Sequence, residues 1–202
     1  MSFFPQDPEL PDPEHHEPES PPWWGAPDDE LPALLPESRL LATTAHAALA
    51  VAGIAVYSTG VEFRMHGRLR RLGLSAREWG ELCAVFTGHG PVDSREDFRD
   101  RLRYGLELAD GERVFADPLF SRHIDPSAPP EGHVLSRRGG GGGGGGPKTF
   151  TSADELWLWP LPPAGPIDLV LRWPAMGIRE RRVTFDGSQI PELAEQARPI
   201  WE

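Results

Sequence analysis

The sequence contains very little cysteine and very little lysine. Cys83 is the only cysteine, so the chain can form neither an internal disulfide nor a metal site built from several cysteines. This is typical of a reducing compartment, and we therefore expect a cytoplasmic location. Lys148 is the only lysine among 20 basic residues, and the resulting excess of arginine is typical of high-GC genomes.

Long apolar segments are also missing. The longest apolar run, Ala47–Tyr57, is too short to span a bilayer. The first residues have neither the basic region nor the apolar core of a secretory signal. We therefore expect no membrane partner.

The first 37 residues contain no basic side chain. They hold ten acidic residues and ten prolines, and this composition cannot bury enough apolar surface to offset the entropy lost on folding. The sequence therefore predicts a disordered, acidic, Pro-rich tail over residues 1–37. Of the 31 acidic residues in the chain, 21 remain beyond the tail against 20 basic ones, so the body is close to neutral.

The tail also carries an adjacent pair of tryptophans, Trp23 and Trp24. A purely solvating segment does not need such side chains. We favour the interpretation that the pair packs back onto the domain, and the alternative is a docking motif for a partner. The net charge of −11 argues against direct nucleic-acid binding by the intact chain, so we expect the partner to be another protein.

From Leu40 onward, short runs of alternating apolar and polar residues are separated by turn residues, which is typical of strands with one buried face. Asp110-Gly111 predicts a hairpin with a type I′ turn. The predicted strands cover residues 40–52, 54–57, 61–70, 102–109, 112–116, 155–161, 167–173 and 178–186, with the last three forming a meander. This pattern predicts an all-β fold over residues 38–202, a single β-sandwich domain of which an immunoglobulin-like topology is one form.

Two short helices accompany the strands. Ser75 and Glu78 have the spacing of a capping box, which predicts a helix over residues 75–86. Cys83 lies on the apolar face of this helix, where a buried and unreactive thiol is expected. A second helix is predicted over residues 189–198.

Residues 139–146 are eight consecutive glycines. Glycine has no side chain to bury and the most entropy to lose on ordering, so we predict a flexible Gly-rich loop at about residues 137–149 that joins two strands of the same sheet. The tract is not a phosphate-binding loop, because Pro147 separates the last glycine from Lys148 and lacks the N–H that such a loop presents.

Two Trp-Pro segments carry a resemblance, Trp159–Pro166 and Trp173–Ile178. Together with the acidic Pro-rich start and the Gly tract, they resemble a group of uncharacterised proteins of high-GC bacteria. The resemblance covers most of the chain. It implies no activity, cofactor or site residue.

The sequence contains no recognisable catalytic motif. There is no G-x-S-x-G nucleophile elbow, and the only adjacent histidines, His15-His16, lie in the tail without a rigid frame for a metal. We predict no cofactor and no metal site. Trp157 and Trp159 share one face of a strand that is apolar on both sides, so we expect the tail tryptophans or the C-terminal helix to cover that face.

Arginines cluster at residues 64–77, 95–103 and 179–182. They form either a solvated face with scattered ion pairs or a basic patch that the acidic tail covers and regulates. In the second case, deleting residues 1–37 is expected to leave folding intact. The candidate interaction residues are Trp23, Trp24, Arg68, Arg70, Arg71, Arg101 and Arg103.

These features predict a non-enzymatic protein-interaction or adaptor module. The alternative is a small-ligand binder, or an enzyme of unrecognised type, that uses a groove near Trp157 and Trp159. A deep pocket with converging ionisable groups would favour the alternative, whereas a flat apolar or basic surface would favour the interaction module.

Overall fold

A computed structural model describes residues 20–86, 100–116 and 128–201, and its described residues form three antiparallel sheets. The strands are β1 (Glu30–Leu31), β2 (Ala33–Leu35), β3 (Arg39–Thr43), β4 (Ala47–Val56), β5 (Val61–Arg70), β6 (Arg103–Glu107), β7 (Arg113–Phe115), β8 (Val134–Gly145), β9 (Thr149–Trp159), β10 (Pro166–Trp173), β11 (Ile178–Asp186) and β12 (Arg198–Pro199). The helices are α1 (Ala76–Phe86), α2 (Ile190–Ala194) and a 3-10 turn at Pro174–Met176. The predicted all-β sandwich is confirmed.

Two of the sheets face each other. In the six-stranded sheet, β2 and β3 pair with successive parts of one edge of β4, and β5, β9 and β8 follow on its other side. The four-stranded sheet has the order β11, β10, β6, β7. The small third sheet pairs β1 with β12.

The core lies between the two large sheets. Phe63 on β5 meets Phe185 on β11 edge to face, with 6.1 Å between the ring centroids. Trp173 on β10 is only 1% exposed and stacks on Phe86 of α1 at 5.4 Å. Trp173 therefore lies on the inner face of its strand, the face to which alternation with Ile167, Leu169 and Leu171 assigns it.

The capping box of α1 is formed as predicted. The Glu78 N–H donates to Ser75 Oγ at 3.3 Å, and the Ser75 N–H donates to Glu78 Oε2 at 2.7 Å. The two hydrogen bonds satisfy two backbone donors that a helix start otherwise leaves unpaired, which explains why the helix begins here. Hydrogen bonding of the Glu78 carboxylate to the Ser75 side chain, and then to its backbone, lowers the pKa of Glu78.

The hairpin at Asp110-Gly111 joins β6 to β7, but its turn is not type I′. Only Gly111 has a left-handed φ, 85°, and its N–H donates to Leu108 O at 2.9 Å while the Leu108 N–H donates to Glu112 O at 2.9 Å. This is typical of a three-residue loop with a glycine bulge. The bulge places the single positive φ on glycine and spares Asp110 that strain.

The predicted meander is only partly correct. β10 and β11 form its hairpin, but β9 pairs with β5 and β8 in the opposite sheet. Prolines follow Trp159 closely in the connection to β10, and proline cannot donate to a strand ladder. The chain therefore leaves one sheet here and enters the other. α2 is also shorter than the predicted helix over residues 189–198.

The Gly tract belongs to strand β8, in contrast to the flexible loop predicted at about residues 137–149. It pairs with β9 as far as Gly145, with a register irregularity between Gly140 and Gly144. Strand pairing uses only backbone groups, so glycines can extend the ladder beside β9. The predicted connection of two strands in one sheet is confirmed.

Residues 20–37, which composition assigns to the tail, include β1 and β2. Strand β2 pairs with β4, and its Leu35 is buried in the core. Here a few apolar side chains and an open strand edge outweigh the acidic, Pro-rich composition. Residues 1–19, with His15-His16, lie outside the described residues. No helix within the described ranges is long and apolar enough to cross a membrane.

Candidate interaction surface

Trp23 lies against the outer face of the six-stranded sheet and is 8% exposed. Its ring packs on Trp159 at a centroid distance of 5.7 Å. Trp157 Nε1 donates to Pro22 O at 2.9 Å, and Ser136 Oγ donates to Trp23 O at 3.1 Å. The prediction that this part of the chain packs back onto the domain is confirmed for Trp23.

The surface under Trp23 is an apolar cluster on the outer side of the sheet. Ala55, Tyr57 and Trp157 form it. The rings of Tyr57 and Trp157 meet edge to face, with 5.6 Å between their centroids. Gly60 leaves room for Trp157, because a Cβ there would lie 2.6 Å from the indole. Residues 22–26 cover this cluster, so the chain itself fills the position of the groove near Trp157 that the alternative interpretation requires. Trp24 remains 43% exposed.

The other half of the same outer face carries a basic row. Alternation along β5 places Arg64, His66, Arg68 and Arg70 outward, and all four are exposed. Arg64 is paired with Glu62, with Nε and Oε1 2.8 Å apart. Within the described residues, Arg68 takes part in no ion pair.

The turn between β3 and β4 is fixed to the end of this row. Arg70 Nε donates to Ala45 O at 2.5 Å, and the Arg70 N–H donates to His46 O at 2.9 Å. Thr44 Oγ1 accepts hydrogen bonds from the N–H groups of His46 and Ala47 at 3.3 and 3.1 Å. These contacts hold the turn rigidly beside Arg68.

Two further basic residues lie at this end of the sheet. Arg71 Nε donates to Leu74 O at 2.7 Å, and its backbone N–H donates to Lys148 O at 2.9 Å. The turn between β8 and β9, which carries Lys148, therefore lies beside the end of β5.

Clefts lie on both sides of Thr43 and Thr44. A depression of about 340 Å³ separates them from Arg68 and residues 149–151. A larger, polar cleft of about 780 Å³ lies between residues 40–44 and the start of β11, residues 177–182. We define the basic end as the cleft-lining cations Arg68, Arg70, Arg179 and Arg181, together with Arg71 and Lys148, which lie at the same end of β5.

Arg103 is the first residue of β6 in the other sheet, Arg101 lies two residues before it, and neither is part of the basic end. Arg103 lies opposite Arg172 in the register of β6 and β10. Arg103 and Arg172 line a shallow depression of about 250 Å³ beside Phe115 on the outer face of the four-stranded sheet. The structure thus brings together three of the five predicted arginines and separates the other two from them.

The outer face of the four-stranded sheet is largely neutralised by ion pairs. Arg182 Nη1 lies 2.6 Å from Asp168 Oδ2, and Arg182 Nη2 lies 3.1 Å from Glu107 Oε2. Arg113 also pairs with Glu107 at 2.8 Å. A hydrogen bond from Thr184, followed by Arg182, lowers the pKa of Asp168. The carboxylate therefore stays charged at neutral pH and keeps the Arg182 guanidinium in an ion pair on this outer face.

Arg179, Arg181 and Lys148 are absent from the predicted set of interaction residues. The cluster at residues 179–182 was visible in the sequence, but its position beside β3 depends on how the two sheets pack. Lys148 lies within the flexible loop predicted at about residues 137–149, and a flexible loop gives its side chain no predicted position in the fold. Cys83 is half-buried against the core, and burial raises its pKa, which supports the expected unreactive thiol.

No three His, Cys, Asp or Glu side chains within the described ranges come together as a metal site would require. Comparisons with models of known protein families, with curated proteins and with solved structures find no match for this chain. The function is therefore inferred from the geometry and charge of the basic end.

Proposed function

We propose that this chain is a non-enzymatic protein-interaction module that binds an acidic segment of another protein at the basic end. One observation carries the proposal: Arg68, Arg179 and Arg181 border the two clefts around Thr43 and Thr44, and none of them has an acidic partner among the described residues.

The charge pattern supports an acidic partner. The basic end gathers six of the chain's 20 basic residues, and the only acidic side chain lining either cleft is Glu180. Uncompensated positive charge attracts anionic segments and orients their approach, with an effect on association rate that salt weakens. Arg39 and Arg64, in contrast, are already paired with Glu37 and Glu62.

The shape of the site supports a peptide rather than a small substrate. Both clefts are open to solvent, and their threonines and arginines stand beside apolar residues such as Leu69 and Phe150 in the smaller cleft and Leu40 in the larger one. Among the described residues that line them, no buried acid and base face a common point. Residues 22–26 fill the surface beside Trp157 and Trp159, where a small-ligand groove was the alternative. A duplex or membrane offers a far larger anionic surface, which the net charge of −11 opposes.

The proposal is tested by fluorescence anisotropy of the whole chain with a short labelled peptide rich in Asp and Glu. Arg68→Glu and Arg181→Glu should each weaken binding by about tenfold or more, because each replaces an attraction with a repulsion. The matched control is Arg198→Glu, which makes the same charge change at an exposed position on β12.

Three results would overturn the proposal. The first is no binding of the acidic peptide at low salt. The second is an equal loss with Arg198→Glu, which would indicate a response to net charge alone. The third is tighter binding of a single-stranded DNA oligomer of equal charge, which would assign the basic end to nucleic acid.

A further inference from the structure

Strands β3 and β11 are both edge strands, and they lie side by side across the sandwich. Strand β3 pairs only with β4, and β11 pairs only with β10, within the described residues. No backbone hydrogen bond joins β3 to β11 there. Each strand therefore presents a row of backbone groups without a ladder partner, which is the arrangement to which another extended segment can add.

The two edges are joined at one end by a side chain. Arg39 Nη1 donates to Thr184 O at 3.0 Å, and its guanidinium lies 5.4 Å from the centroid of the Phe185 ring. The backbone oxygen of Thr184 therefore points away from β10 and toward β3. Backbone N–H and C=O groups point to alternate edges from one residue of a strand to the next. Arg182 is two residues before Thr184, so its backbone groups also point toward β3.

Beyond this junction, the edges separate into the polar cleft of about 780 Å³. Leu40 and Thr43 lie on one wall, and Arg179 and Arg181 lie on the other. Leu40 is 63% exposed and lines the cleft. The cleft thus combines an open strand edge, an apolar contact and two cations.

We infer that this cleft binds an extended acidic segment of a partner protein, which adds to the free edge of β11 as a further strand. The inference rests on the proposed function and names its binding mode. Backbone hydrogen bonds to the outward groups of Arg182 would supply the pairing, and acidic side chains would meet Arg179 and Arg181. The apolar residues between them would pack on Leu40.

Charged side chains on an edge strand also discourage its pairing with strands of other chains. Arginines protect an edge against neutral or basic strands. They favour an acidic strand, since its carboxylates neutralise them. The experiment must therefore separate strand pairing from charge attraction.

The test compares two labelled peptides with the same alternating sequence of Glu and Val, one of them N-methylated at every backbone amide. Both carry the same charge, but the methylated peptide has no N–H donor. Titrated with the whole chain, the unmodified peptide should bind about tenfold or more tightly than the methylated one. The amide hydrogen of Arg182 should exchange more slowly only in the presence of the unmodified peptide.

Equal affinities, with no protection of Arg182, would overturn strand addition and leave the proposed function in place, since charge alone would then hold the peptide. Failure of both peptides to bind would overturn both. Protection of amides in β7 or β8 instead of β11 would also contradict the inference, because these strands form the opposite edges of the two sheets.

Discussion

Trp157 on β9 and Trp173 on β10 are both buried, but on different faces of the domain. Trp173 lies between the sheets and stacks on Phe86. Trp157 lies on the outside of the six-stranded sheet and is nevertheless 1% exposed, because residues 22–26 cover it. The first is a core residue by strand alternation, whereas the second is buried only because a distant part of the chain returns to it.

Replacing Trp173 with alanine should remove much of the domain's stability. The substitution leaves a cavity between β10 and α1, and such losses cost roughly 3–5 kcal/mol. Urea unfolding of Trp173→Ala, with Trp24→Ala as the control at an exposed tryptophan, measures the difference. A Trp173→Ala protein that unfolds at the same urea concentration as the control would show that this ring does not support the core.

At the scale of elements, local patterns were predicted well and long-range pairing was not. The capping box of α1 and the alternation in β4, β5 and β10 depend on neighbouring residues, so the sequence is enough to predict them. The transfer of the chain between sheets after Trp159 depends on contacts far apart in sequence. The arginine clusters at residues 64–77 and 95–103 can be seen in the sequence, but the placement of Arg68 and Arg103 on different sheets follows from this long-range pairing.

The packing of α1 on β5 depends on one glycine. A Cβ at Gly67 would lie 2.2 Å from Phe86 Cζ, so the ring occupies the space that any other side chain would need. Gly67→Ala should displace Phe86 and destabilise the domain by about 1–3 kcal/mol.

Gly53→Ala is the matched control, since no atom lies within 4 Å of a Cβ at that position and its φ is not left-handed. We expect it to change the stability by less than about 0.5 kcal/mol. Thermal unfolding of both variants provides the comparison. Equal melting temperatures would contradict the role of Gly67.

At the scale of the whole molecule, the acidic N-terminal segment has two parts. Residues 20–37 contribute Trp23 and strands β1 and β2 to the folded structure. Residues 1–19 contain six of the ten acidic residues of the segment and no basic one. Pro22 contacts Trp157 on the outer face of the six-stranded sheet, the same face that carries Arg68, so the acidic residues that precede it are tethered to this face of the domain.

The two parts should respond differently to deletion. Deleting residues 1–37 should lower the melting temperature, because it exposes Trp157, removes β2 from the edge of β4 and removes β1, the partner of β12. This replaces the expectation that such a deletion leaves folding intact. Deleting residues 1–19 should leave the melting temperature unchanged and strengthen binding of an acidic peptide at low salt. The tethered acidic segment competes for the same cations, and salt screens that competition.

Anisotropy titrations at two salt concentrations test this expectation. The control is a full-length chain in which the six acidic residues of residues 1–19 are changed to asparagine or glutamine. If the chain lacking residues 1–19 and the chain with the six neutralised residues both bind the acidic peptide with the affinity of the parent, the segment does not compete for the basic end.

The glycine strand has a consequence for how this gene can vary. Elsewhere in the sandwich, inserting one residue into a strand would turn every following side chain to the opposite face of the sheet. Within the tract, the residues on the two faces are identical, so a gain or loss of one glycine can be absorbed at the irregularity between Gly140 and Gly144. Repetitive codons are prone to such changes in length, and this hairpin is a place in the domain where they would be structurally silent.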